Sequence, residues 1–124
     1  MNEEHHEELI KGVARAQKLL LENSPQAIYI YFDDVHKVCN KKFAALLGYK
    51  SPAAWAKMDA PLADVVEKDQ PKVVDAYGKA SEKLAASKID ISLKNVKTGA
   101  IIKTGLVMVP IVFNGHIFVM HFLQ

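Results

Sequence analysis

Residues 24–49 read Ser24-Pro25-Gln26-Ala27-Ile28-Tyr29-Ile30-Tyr31-Phe32-Asp33-Asp34-Val35-His36-Lys37-Val38-Cys39-Asn40-Lys41-Lys42-Phe43-Ala44-Ala45-Leu46-Leu47-Gly48-Tyr49. The run Gln26–Phe32 is rich in β-branched and aromatic side chains and predicts a strand. Asp33-Asp34 is turn chemistry, and His36–Cys39 is a short second strand. Asn40 is suited to cap a helix over Lys41–Leu47, with Phe43 pointing into the core. Gly48 closes that helix because it enters the left-handed region without a Cβ penalty.

Downstream, Ser51-Pro52 opens a short helix carrying Trp55 and Met58, and Pro61–Val66 forms a further helical piece. Asp69-Gln70-Pro71 starts a long helix expected to run to about Ser87. Its apolar stripe is Val73, Val74, Tyr77, Ala80, Ser81 and Leu84. The last third is β. Ile89, Ile91 and Leu93 alternate with Asp90, Ser92 and Lys94. Residues 100–113 form a long strand, and Asn114-Gly115 is a strong hairpin signal into a closing strand, 116–123. Pro110 lacks an amide donor and suggests a bulge or a non-bonding position.

The long strand is apolar on both faces: Ile102, Leu106, Met108 and Val112 on one, Ile101, Val107, Val109, Ile111 and Phe113 on the other. The closing strand repeats this, with Phe118, Met120 and Phe122 against Ile117 and Val119. An antiparallel sheet with one wet face alternates strictly. Both faces of this sheet therefore need cover. The internal helices supply one layer. The other falls to an amphipathic helix over residues 3–22, from this chain or a second copy. Leu9, Val13, Ala16 and Leu20 repeat there at helical spacing, and glutamates crowd the first turns, where the helix dipole favours them.

With 124 residues, half of them apolar and 24% charged, the chain has the composition of one globular domain. A lone Cys39 excludes a disulfide scaffold. A net charge of +2 provides no basic stripe for nucleic acid. No apolar run is long enough to span a membrane, and the acidic start is unlike a secretory signal. The expectation is a cytoplasmic protein with neither nucleic-acid nor membrane partner.

The order helix, two strands, three short helices, long helix, three antiparallel strands resembles a PAS domain. The stretch from Ser24 to Tyr49 is similar to that family's opening, an apolar strand, Asp turn, strand, capping Asn, Phe and Gly-Tyr. Ser51–Trp55 resembles its next helix. Gly99, Val109-Pro110-Ile111 and Asn114-Gly115 resemble its closing strands. The segment Asp33–Asn40 is shorter than the family's usual turn and second strand. The resemblance implies an α+β fold: a five-stranded antiparallel sheet with helices on one face and the N-terminal amphipathic helix on the other. Residues 1–23 are then a flanking, dimerising helix and 24–124 the PAS domain. The implied role is a sensory, signal-transducing module. It binds a small ligand or cofactor between helices and sheet, and signals through the N-terminal helix and a homodimer contact made by Leu9, Val13, Ala16 and Leu20. A kinase or regulator in trans is the implied partner. A ligand-free interaction and dimerisation module is the alternative. The chain stops just after the closing strand, so output is expected to pass through the N-terminal helix or a surface.

Cofactor identity stays open. Cys39-Asn40 has the wrong order and position for a flavin-adduct cysteine, and residues 69–87 hold no His for haem. Tyr77 is the one possible iron ligand there, and a core role suits it better. His5 and His6 are sequence neighbours, His36 stands alone, and His116 and His121 project to opposite faces of one strand, so no pair has metal-ligand spacing. The serines have cap, turn or surface explanations, and no phosphate loop or nucleophile elbow occurs. Asp64 and Asp90 are expected to be exposed. The chain is therefore expected to be non-enzymatic. Phe43, Trp55, Tyr77, Met108 and His121 are the candidates to line a pocket between helices and sheet.

Overall fold

The computed structural model describes residues 3–124; Met1, Asn2 and the side chains of Glu3 and Glu4 lie outside the described residues. The sheet is built from β1 (Ala27–Asp33), β2 (His36–Cys39), β3 (Ser87–Lys94), β4 (Ile101–Phe113) and β5 (His116–Leu123). All neighbours are antiparallel, in the order β2-β1-β5-β4-β3. Asn114 and Gly115 both have positive φ, as the two-residue β4–β5 hairpin requires. Pro110 pairs with Val119 in unbroken register, so of the two alternatives there the bulge is absent. The register instead slips by one residue between Tyr31 and Asp33 in the β1–β2 pair.

Five internal helical segments cover one face. They are α3 (Lys41–Leu47), α4 (Pro52–Ala56), two 3₁₀ turns (Pro61–Asp64 and Glu67–Asp69) and α5 (Gln70–Lys83). Asn40 joins α3 to the sheet. Its Oδ1 accepts from Phe43 N at 3.0 Å and Ile28 N at 3.1 Å, and its Nδ2 donates to Gln26 O at 2.9 Å. Gly48 ends α3 at φ 85°, and a Cβ there would lie 2.4 Å from Asn95 Oδ1. Asn95 in turn donates to Leu46 O and accepts from Lys97 and Thr98, docking the β3–β4 turn on α3. The helix α5 stops at Lys83 because Leu84 adopts the left-handed conformation. Its buried positions are Val73, Ala76 and Ala80, whereas Val74 and Leu84 are exposed.

The opposite face carries its own core. Ile28 and Ile30 of β1 and Phe118 and Met120 of β5 pack against Leu9, Ile10 and Val13. Those last three belong to α1 (Glu3–Ala16) of the same chain. Gly12 allows the close approach: a Cβ there would meet the Phe113 ring at 2.8 Å. The N-terminal helix is not continuous. It is interrupted at Gln17, where φ is −104° and ψ 14°, and α2 (Lys18–Asn23) follows. In α2, Leu21 packs against this layer and Leu20 is exposed. Two apolar layers thus cover both faces of β5 and the middle of β4, whereas Ile101 and Val112 of β4 stay exposed.

Among the described residues no helix is long and apolar enough to cross a membrane.

Candidate ligand-binding site

Period-two alternation puts Tyr29 and Tyr31 of β1 and His121 of β5 on the helix-covered face. Tyr29 is paired directly with His121. Their rings stack at 4.0 Å between centroids with 10° between planes. Phe43 and Trp55 close around Tyr29 at 4.8 and 5.2 Å. Tyr77 from α5 meets Tyr31 edge-on at 5.2 Å.

Between these rings and the 3₁₀ turn lies a cavity of about 220 Å³, lined chiefly by Tyr29, Tyr31, Leu62, Val73, Tyr77 and His121. Asp34 and Val74, both exposed, mark its mouth. An apolar cavity of roughly 150 Å³ accommodates benzene, and drug-sized ligands need roughly 300 Å³ or more. This space therefore suits a single small ring.

The cavity's polar groups are mostly tied to protein. Tyr31 donates to Asp34 Oδ1 at 2.6 Å, and Tyr77 lies 3.5 Å from Phe32 O. Burial raises the Tyr29, Tyr31 and Tyr77 phenols, so all three stay protonated. His121 Nδ1 donates to Val119 O at 3.1 Å, which leaves Nε2 as the acceptor. Burial pulls the His121 pKa from 6.5 to about 3, against the smaller opposing effect of its backbone hydrogen bonds. The imidazole is neutral at pH 7. Among the described residues no Lys or Arg lines the cavity, and the Asp34 side chain stands at its entrance.

Tyr77 and His121, both expected from the sequence, line this space. Phe43 lines a narrow crevice of about 10 Å³ beyond Tyr29. Trp55 and Met108 are fully buried in the inner core and line neither space. Tyr29, Tyr31, Asp34 and Val73 were not among the expected residues. The alternation of Tyr29 and Tyr31 was a usable signal, whereas Asp34 was masked by its turn role. Asp64 corrects the expectation of an exposed carboxylate: it is 7% exposed and accepts from Tyr49 Oη at 2.6 Å. Burial raises its pKa. Asp90 is exposed as expected. Cys39 is buried, and burial pushes its thiol up to about 12, so it is a hydrophobe rather than a nucleophile.

A sheet of this strand order, an α3–α4–α5 layer and a cavity between them can be compared with solved structures. The PAS domain of an HTR-like protein from Haloarcula marismortui superposes with a TM-score of 0.68 at 16% identity, covering 98% of both chains.

The fold is that of a PAS domain.

A PAS domain from a protein of Colwellia psychrerythraea agrees with a TM-score of 0.68 at 17% identity, over 90% of this chain and 95% of that one. A PAS domain from a two-component sensor histidine kinase gives 0.66 at 15% identity, over 92% and 96%. No family model and no curated protein matches the sequence. The expected PAS-like architecture, with α1 on the far face of the sheet, is the observed one.

Proposed function

We propose that this chain is a sensory PAS module that takes a small, ring-sized, neutral or cationic ligand in the Tyr29–Tyr31–Tyr77–His121 cavity. One observation carries the reading: the cavity floor is β1 and β5, the same strands whose outward residues Ile28, Ile30, Phe118 and Met120 hold α1. A ligand that moves Tyr29 or His121 shifts the pleat under α1. Three tyrosine faces and the Asp34 carboxylate favour a cation over an anion. The shared fold of a histidine-kinase PAS domain supports a kinase or regulator as partner in trans.

Output runs through α1 and a second copy of the chain. Leu9 and Val13 are spent on the sheet while α1 is docked, whereas Ala16 and Leu20 are exposed and available. Loosened α1 helices from two copies then pair through Leu9, Val13, Ala16 and Leu20. Residues 1–23 act as the output segment of the domain formed by 24–124.

The test is thermal unfolding of the full chain against a panel of monocyclic amines, alcohols and acids. At least one amine or alcohol is expected to stabilise by about 2–3 kcal/mol near 100 Kd. The effect should vanish in Val73→Trp, which fills the cavity. A panel without a single stabilising member sinks the ligand-binding reading. Solution mass measures the pairing: Leu20→Glu should shift a dimer toward monomer without changing the fold.

A further inference from the structure

A second cluster of chemistry-bearing side chains lies on the far side of the sheet from the cavity. The bulge between Tyr31 and Asp33 re-aims Asp33 out of strict alternation. Asp33 Oδ1 accepts from Val35 N at 3.0 Å and His36 N at 2.8 Å, which fixes the carboxylate. The same oxygen accepts from His36 Nδ1 at 2.7 Å. The other oxygen, Oδ2, faces His6 Nδ1 of α1 at 3.9 Å. The His6 and His36 rings meet edge-on at 5.3 Å. One ligand atom each from His6, Asp33 and His36 lies within 4.8 Å of the other two.

We propose that His6, Asp33 and His36 form a binding site for a divalent transition metal of the zinc or cobalt type. Two imidazoles and a carboxylate are the donor set such ions take, at bond lengths of about 2.0–2.2 Å. Bonds of that length bring ligand atoms to roughly 3.3 Å apart, so modest rotation of the half-exposed His6 closes the site. In the occupied site the metal takes the His36 Nδ1 lone pair, and the imidazole stays neutral by changing tautomer: Nδ1 gives up its proton to solvent and Nε2 takes one from solvent. The opposite nitrogen, Nε2, faces Glu7 Oε2 at 3.5 Å. A carboxylate accepting from the far nitrogen of a ligating histidine is the usual outer support of such a site. His36 is 1% exposed and rigidly held, while His6 is 25% and Asp33 38% exposed, so an ion can enter from solvent. Because His6 belongs to α1 and the other two ligands to the β1–β2 turn, the ion ties the output helix to the sensor domain.

Titrating the metal-free full chain with Co²⁺, followed by visible absorption and calorimetry, tests this. One equivalent is expected to bind with ligand-field bands of a nitrogen–oxygen site, and Zn²⁺ is expected to displace it. His6→Ala and Asp33→Asn are each expected to weaken binding roughly 10–100-fold. Asn at 33 keeps the turn acceptor, so the fold survives even if His36→Ala unfolds. Amide exchange in α1 is expected to slow when Zn²⁺ is added. No binding at tenfold Co²⁺ excess, or binding unchanged in both variants, overturns the assignment. So does loss of binding only in His116→Ala, because His5 Nε2 and His116 Nε2 form a separate pair 3.4 Å apart.

Discussion

His121 lies flat against Tyr29, ring centroids 4.0 Å apart, on adjacent strands whose backs hold the N-terminal helix. The pair lies on the cavity side of the two strands that carry α1 on their other side, and burial sets the protonation state of His121. The folded His121 pKa, about 3, is below the ordinary 6.5. Between those values the unfolded chain binds the proton and the folded chain does not. Stability from this group is therefore complete above pH 6.5 and declines as pH falls toward 3. The slope is about 1.4 kcal/mol per pH unit at most. His121→Phe keeps the stack and removes the titration. Urea unfolding from pH 7 to pH 4 should show a flatter acid limb for the variant. Equal slopes would mean the imidazole is not held neutral.

Lys37 is 3% exposed. Its ammonium donates to the carbonyls of Asp34, Ala56 and Met58, the last two at 3.1 and 2.8 Å, and sits 5.5 Å from the Trp55 ring centroid. It clamps the β1–β2 turn to the end of α4, and burial lowers its pKa. Lys37→Met removes every donor and leaves three carbonyls without it. The expected loss is about 2–4 kcal/mol, read as a lower urea midpoint with an unchanged m-value.

Gly48→Ala forces a Cβ into the left-handed region and within 2.4 Å of Asn95 Oδ1. The strain and the displaced β3–β4 turn should together lower stability by about 1–3 kcal/mol. Gly99→Ala has the same sign of φ but open space around it, so its loss should be smaller. Chemical denaturation of the two variants side by side separates conformational strain from collision.

Asn40→Ala deletes a helix cap and two further hydrogen bonds, a buried one from Ile28 of β1 and a part-buried one to Gln26 just before it. About 2–4 kcal/mol is expected. Asn40→Asp keeps both acceptor contacts and loses only the donor to Gln26 O, so it should fall between Ala and wild type in thermal unfolding.

Local sequence carried much of the fold. The Asn40 cap, the Gly48 stop and the Asn114-Gly115 hairpin are each determined within four residues, because capping and positive φ are short-range demands. The doubly apolar β4 and β5 already required two covering layers. What local pattern does not contain is which side chains of the N-terminal segment meet the sheet: Leu21 rather than Leu20 packs on the far-face layer, and α1 of the same chain covers that face. Tyr77 and His121 were legible as cavity residues from size and placement. Tyr31 and Asp34 join them only because β1, β2 and α5 meet in space. The His6–Asp33–His36 cluster lies further still from sequence reasoning. Its members are up to 30 residues apart, and a one-residue bulge aims Asp33 at the histidines. Hydrogen-bonding and conformational preferences act along the chain and are written in it. Juxtaposition across a sheet depends on register and packing of distant segments, and only the tertiary structure decides it.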